Sequence, residues 1–204
     1  HRPRLSRAAA AVLDAGCGAG EPGAVAIARR HRVTGVDISP AQIARARAAV
    51  PAGNFICGDM TAVSLPTAGF DAVVSFYAID HVPREDHATL LSKFRGWLRP
   101  GGRLLLSCED VDQPGAVGTW LGSPMFFSLF NAAAMMQMVC ESGFIIDEHA
   151  VEEQREGDQT VPYLWVLAHN HSEADAKFVG RISLTVETRD LERAGVKVAL
   201  TRRH

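Results

Sequence analysis

The stretch Val12-Leu13-Asp14-Ala15-Gly16-Cys17-Gly18-Ala19-Gly20 decides how the rest of this chain is read. An apolar run ends beside an acid and is followed at once by glycines at 16, 18 and 20. Alternate glycines let a buried strand turn sharply into a helix, and they let a ligand lie on the main chain without meeting a Cβ. A plain tight turn would not need three of them. The dinucleotide fingerprint GxGxxG requires glycine three residues after Gly18, where this chain has Glu21. No Tyr-x-x-x-Lys pair of the kind some dehydrogenases use occurs either.

Outward from that stretch, short apolar runs alternate with helical patterns, as in a parallel sheet covered on both faces. Residues 11–15 read as the first strand, 24–30 as a helix, and 32–37 as a second strand. Ser39-Pro40 then marks a helix start, serine as N-cap and proline in the first turn, and the helix runs to about Val50. Further strands are expected at 54–57, 70–76 and 102–108, with an amphipathic helix at 84–98 stopped by Pro100-Gly101-Gly102. The Gly-, Pro- and Asp-rich residues 109–124 read as a long loop, and 131–142 as a helix. Residues 144–151 and 161–168 read as an antiparallel hairpin joined by an acidic turn over 152–158.

At 204 residues, with 47% hydrophobic and 22% charged, the chain has the size and composition of a single globular domain. The net charge of -2 is unevenly spread. Residues 1–10 carry Arg2, Arg4 and Arg7 and no acid, and residues 171–204 carry seven basic and five acidic residues. Residues 11–170 hold eleven basic and eighteen acidic residues, a net of -7. An acidic body is a poor match for a phosphate backbone, so no nucleic-acid partner is expected. No apolar run is long enough for a membrane helix, so no membrane partner is expected either. The four cysteines, at 17, 57, 108 and 140, are too scattered for a metal site or a disulfide framework. They read as small buried hydrophobes in the cytoplasm. The sequence carries no mark of an oligomeric state. It begins with His1 rather than Met, as a trimmed front would.

Asp14 followed by the GxGxG spacing resembles motif I of the class I S-adenosylmethionine (SAM) dependent methyltransferases, and the resemblance continues in order. Asp37, in Val36-Asp37-Ile38-Ser39, matches the acid that in this family binds both ribose hydroxyls. Gly58-Asp59-Met60 matches the third motif, whose carboxylate accepts from the adenine amino group while the next residue packs on the ring. Phe70 to Phe76 looks like the fourth strand, after which the backbone meets the methionine end of the cofactor. Leu98-Arg99-Pro100-Gly101-Gly102 looks like the turn into the fifth. Residues 76–85 and 120–126 resemble a subgroup of small bacterial methyltransferases of mostly unassigned substrate.

The resemblance implies a Rossmann-like, doubly wound α/β fold: a mostly parallel seven-stranded sheet closed by the antiparallel C-terminal hairpin. It implies SAM as cofactor, and Asp14, Gly16, Cys17, Gly18, Gly20, Asp37, Ile38, Asp59, Met60 and Phe76 as its binding residues. The domain is expected over 11–170, after a short basic segment at 1–10 and before an extension at 171–204 of unassigned role. In that extension Ile182, Leu184 and Val186 alternate as in a half-buried strand, and 190–194 read as a helical turn. The chain departs from the group at its front, where only ten residues precede Ala11 and members normally carry a helix that closes over the cofactor.

The implied activity is methyl transfer to a small-molecule acceptor. The alternative is a non-catalytic SAM-binding subunit whose extension mediates assembly. His81 is the first choice for a general base, since it follows the fourth strand and imidazole titrates near neutrality. The competing role for His81 is capping the helix near Pro83. Asp80 and Tyr77 stand at the same rim. Trp120, Met125, Phe126 and Phe127 read either as an apolar substrate wall or as ordinary packing, and Tyr163 and Trp165 as core or edge residues.

Overall fold

The computed structural model describes residues 9–120, 122–157 and 159–171, with the backbone alone at Trp120. The expectations for residues 1–8, for the strand and helical turn within 172–204, and for the Trp120 side chain lie outside the described residues. In chain order the elements are β1 (Ala11–Ala15), α1 (Gly23–Ala28), β2 (Arg32–Asp37), α2 (Pro40–Ala49), β3 (Asn54–Cys57) and β4 (Phe70–Phe76). There follow two 3-10 turns (Ile79–His81 and Arg84–Asp86), α3 (His87–Trp97), β5 (Leu98–Glu109), β6 (Gln113–Trp120), β7 (Ser123–Leu129), α4 (Ala132–Glu141), β8 (Phe144–Glu156) and β9 (Gln159–Asn170).

Seven strands form one sheet in the order β3-β2-β1-β4-β5-β9-β8, and β6 and β7 form a separate two-stranded sheet. The first five strands are parallel, and β9 runs antiparallel to both β5 and β8. The central strands read as unbroken apolar runs because both faces are covered. On one face Leu13, Val73, Leu104 and Leu106 meet α3 and α4 through Leu90, Phe94, Met135 and Val139. On the other face Val12, Ala72 and Val74 meet α1 and α2 through Ile27, Ile43 and Ala46. Each large side chain buried this way contributes roughly 1.5–3 kcal/mol. Toward β9 the second face ends in an aromatic layer of Phe76, Tyr77, Tyr163 and Trp165.

Local signals explain the helix starts. Ser39 Oγ accepts from the Gln42 N–H at the start of α2, and Asn131 Oδ1 accepts from the Ala134 N–H at the start of α4. At the far end of the sheet Asn170 ties β9 to the end of α3, donating to the carbonyls of Arg95, Leu98 and Arg99.

Several expectations are corrected. Residues 109–124 are not a long loop, because β5 continues to Glu109 and residues 113–120 form β6, paired with β7. The span 152–158 is not a turn; β8 runs to Glu156 and β9 begins at Gln159. The helix expected from Arg84 begins at His87, after a 3-10 turn. Only Cys17 and Cys108 are buried, whereas Cys57 and Cys140 are exposed.

Candidate cofactor and acceptor site

The glycine loop is shaped by its own backbone. The N–H groups of Gly16 and Cys17 both donate to the Val36 carbonyl, at 2.8 and 3.0 Å, folding the loop back over the end of β2. Gly16 has φ +79°, and a Cβ placed there would lie 2.2 Å from the Ala78 Cβ. The loop is therefore seated directly on the turn that follows β4. Gly18, with φ +52°, is the opposite case: among the described residues a Cβ there would meet nothing within 4 Å. At Gly16 glycine answers a neighbour; at Gly18 it leaves open space above the main chain.

Two carboxylates flank this loop. Asp14 is buried, 3% exposed, and burial followed by the nearby Asp37 carboxylate pushes its carboxyl up to about 7. Asp37 Oδ2 accepts from the Gly18 N–H at 2.8 Å, and its Oδ1 accepts from the Ser39 N–H at 2.9 Å. Burial, Asp14 and Asp37 together push the Cys17 thiol up to about 12, which keeps it protonated and unreactive. Beside Asp37, Ile38 is 71% exposed, an apolar surface standing at the rim. Asp59 caps its own loop, Oδ1 accepting from both the N–H and the hydroxyl of Thr61, and Met60 is half-buried against the core.

Beyond β4 the three expected catalytic residues part company. Tyr77 takes the left-handed backbone, φ +55°, and its N–H donates to the Ser107 carbonyl and hydroxyl. That turns its ring toward β9 and β8, where it stands edge-on to Tyr163 and Trp165 and its hydroxyl bonds Gln154. Asp80 is 3% exposed; its Oδ2 accepts from the Glu109 N–H while Oδ1 has no partner among the described residues. Burial holds the Asp80 carboxyl well above the usual carboxylate range, and the charges of Glu109 and Glu156 add to this.

His81 faces the other way, toward the β6–β7 hairpin. Its Nδ1 lies 2.9 Å from the Phe126 carbonyl oxygen, and its ring is edge-on to Phe127 at 5.0 Å. A carbonyl only accepts, so Nδ1 carries the proton and the lone pair is on Nε2. The helix-capping role for His81 is set aside: α3 starts at His87, six residues on. The residues expected as a substrate wall do not all share one face, since successive residues of a strand point to opposite faces. Phe126 opposes Val117 and Phe127 opposes Ala116, so Phe126 lies on the other face of β7 from Met125 and Phe127. The hairpin is fixed to the body a second time by the Arg84 N–H donating to Ser128 Oγ.

Residues 12–102 match the family model described as a methyltransferase domain. A probable SAM-dependent methyltransferase of Mycolicibacterium smegmatis is 33% identical over 139 residues, which are 67% of this chain and 52% of that protein. The chain resembles the class I SAM-dependent methyltransferases in sequence over these residues and in fold. The chain is also 37% identical over 109 residues to a trans-aconitate 2-methyltransferase of an Azoarcus species, covering 52% of the chain and 42% of that protein. It spans about half the length of the curated relatives it matches. The crystal structure of a SAM-dependent methyltransferase from Methanosarcina mazei shares the fold, with TM-score 0.72 at 18% identity over 82% of this chain and 95% of that one.

Sequence reasoning missed two groups. Glu109 and Glu156 join Asp80 and Tyr163 at one end of the sheet, brought together by the β5–β9–β8 pairing. The buried His87 supports the turn that carries Asp80 and His81, its Nε2–H donating to the Val82 carbonyl at 2.9 Å. The signal for the first group lay in Tyr163-Val161 and Glu109 falling on one face once β9 is set antiparallel to β5. No signal pointed to the second. Among the described residues no helix is long and apolar enough to cross a membrane, and no cluster of three or more His, Cys, Asp or Glu could hold a metal ion.

Proposed function

We propose that this protein transfers the methyl group of SAM to a small-molecule acceptor by in-line displacement. One observation carries the reading: an open glycine loop flanked by the two neighbouring carboxylates of Asp14 and Asp37. SAM brings a sulfonium and an ammonium against a single carboxylate, so its net positive charge answers Asp14 and Asp37. A dinucleotide would bring a pyrophosphate against the same two acids and be repelled.

Asp37 is suited to ribose because each carboxylate oxygen has two lone pairs and only one is used by Gly18 or Ser39. Ile38, Asp59 and Met60 are the adenine side, and Phe76 stands at the methionine end. When bound, SAM supplies an electrophilic methyl group. The protein's part is orientation, holding the nucleophile about 3–3.5 Å from that carbon and in line. His81 Nε2 is available to take a proton from the acceptor. The named small-molecule substrate of the trans-aconitate methyltransferase relative supports an acceptor of that size. The acidic body supports a function away from nucleic acid, and the scattered thiols support the cytoplasm.

Thermal shift with SAM, its demethylated product and NAD tests the cofactor. Stabilisation by the first two and not by NAD is expected; the reverse pattern defeats the reading. Asp37→Ala should weaken SAM binding by roughly 1.5–3 kcal/mol, about ten- to a hundred-fold. Because Asp37 also ties the loop to Ser39, the same change should lower stability, so calorimetry belongs at a temperature where the variant is folded.

A further inference from the structure

We infer that the methyl acceptor is a protonated amine carrying an oxygen two or three bonds from its nitrogen, held in the acidic and aromatic corner of Tyr77, Asp80, Glu109, Glu156, Tyr163 and Trp165. This rests on the methyltransferase reading and narrows its acceptor.

Position comes first. Ala78 is the residue against which Gly16 sits, and Tyr77 is its chain neighbour. The strained Tyr77 backbone turns the ring away from the loop and into the corner, with Tyr163 at 4.9 Å and Trp165 at 5.8 Å, both near perpendicular. In the β5–β9 ladder Glu109 is directly opposite Tyr163, and Ser107 is directly opposite Trp165, so all four side chains share one face. Asp80 reaches the same place through the Glu109 N–H, and Glu156 through the Tyr163 hydroxyl, which donates to it. The corner therefore begins one residue from the cofactor loop.

Charge comes second. Among the described residues, every charge acting on Asp80, Glu109 and Tyr163 is another acid. An anionic acceptor would be repelled there. A cation would relieve the mutual repulsion, and the faces of tyrosine and tryptophan rings attract it as well.

Unmet polar atoms come third, and they are independent of the acids' proximity. Among the described residues, Asp80 Oδ1 and the Trp165 indole N–H are both without partners, on residues each 3% exposed. Buried polar atoms in native folds are nearly always paired. One is an acceptor and the other a donor, so a ligand that meets both would both donate and accept. An ammonium with a neighbouring hydroxyl does this: nitrogen to Asp80 and Glu109, oxygen to Trp165.

The step balances. The ammonium gives one proton, relayed by solvent, to His81 Nε2, the base proposed above, and the freed nitrogen lone pair forms the bond to the methyl carbon. The carbon–sulfur bond breaks with its electron pair left on sulfur, giving the thioether product and a methylated ammonium.

The test uses the full chain, labelled SAM and three probes on one frame: phenylalaninol, 3-phenylpropylamine and 3-phenyllactate. Transfer to phenylalaninol is expected, with at least ten-fold lower kcat/KM for the amine lacking the hydroxyl and none to the carboxylate. Glu109→Gln should raise KM for phenylalaninol at least ten-fold with SAM affinity by calorimetry unchanged. Trp165→Phe should erase the preference for the hydroxyl-bearing amine, which loss of stability alone would not do. SAM bound normally, with transfer to 3-phenyllactate, with no transfer to either amine, or with a Glu109→Gln KM within two-fold of the wild type, overturns the acceptor assignment. Absent SAM binding in the unmodified chain overturns the underlying methyltransferase reading and the assignment with it.

Discussion

Replacing Gly16 with alanine tests how the cofactor loop is seated, and its cost can be worked from two separate sources. The first is conformational: at φ +79° a Cβ crowds the neighbouring carbonyl, about 1–2 kcal/mol for a non-glycine residue. The second is steric. The new Cβ would stand 2.2 Å from the Ala78 Cβ, where two carbons prefer about 3.5–4.0 Å. Ala78 sits in the turn between β4 and Asp80, so relief requires that turn to move, an overpacking cost of about 1–3 kcal/mol. The sum, roughly 2–5 kcal/mol, is a large part of a domain's usual 5–15 kcal/mol. The second variant, Ala78→Gly, separates the sources. Alone it should cost about 0.5–1 kcal/mol through chain freedom. In the double variant the overlap is gone and the backbone strain remains, so about 1–3 kcal/mol should return as a favourable coupling. Urea unfolding of all four proteins at matched slopes measures it. Coupling below about 0.5 kcal/mol, the range of independent sites, refutes the seating of the loop on Ala78.

Gly18→Ala should behave differently, losing about 1–2 kcal/mol of stability through φ alone but most of its SAM affinity, read by calorimetry, because its open space is where the ligand passes. Asp14→Asn should flatten the pH dependence of stability. With its carboxyl raised from 3.8 to about 7 in the folded chain, the wild type loses stability as pH rises across that interval, on the order of 4 kcal/mol in full, and equal slopes in the two proteins would count against it. His81→Ala should cut turnover on the order of a hundred-fold or more with SAM affinity intact. His81→Asn can still donate to the Phe126 carbonyl, so recovery of turnover in that variant would make His81 an anchor of the hairpin rather than a base.

What was legible in the sequence follows burial on both faces. Val12–Ala15, Phe70–Phe76 and Leu104–Cys108 are apolar because helices cover them, and the glycines at 16, 18 and 20 punctuate the turn. The β6–β7 hairpin was hidden for the converse reason: residues 114–119 are exposed, so no apolar alternation survives, and Pro114, Gly115 and Gly118 read as loop. The outer part of β8 was hidden likewise, Glu152 to Glu156 being a charged strand at the sheet's edge. Within the site, the loop acids were marked by their closeness to glycines. The acidic corner was not, since Asp80, Glu109, Glu156 and Trp165 meet only through strand pairing across some 85 positions.

Asp37 bears on timing as well as affinity. Its carboxylate bridges the Gly18 and Ser39 amides, joining the turns after β1 and β2. The open shape above Gly18 therefore stands ready without a ligand to mould it. Little ordering is left for the moment of encounter. SAM arrival should then follow diffusion to the rim.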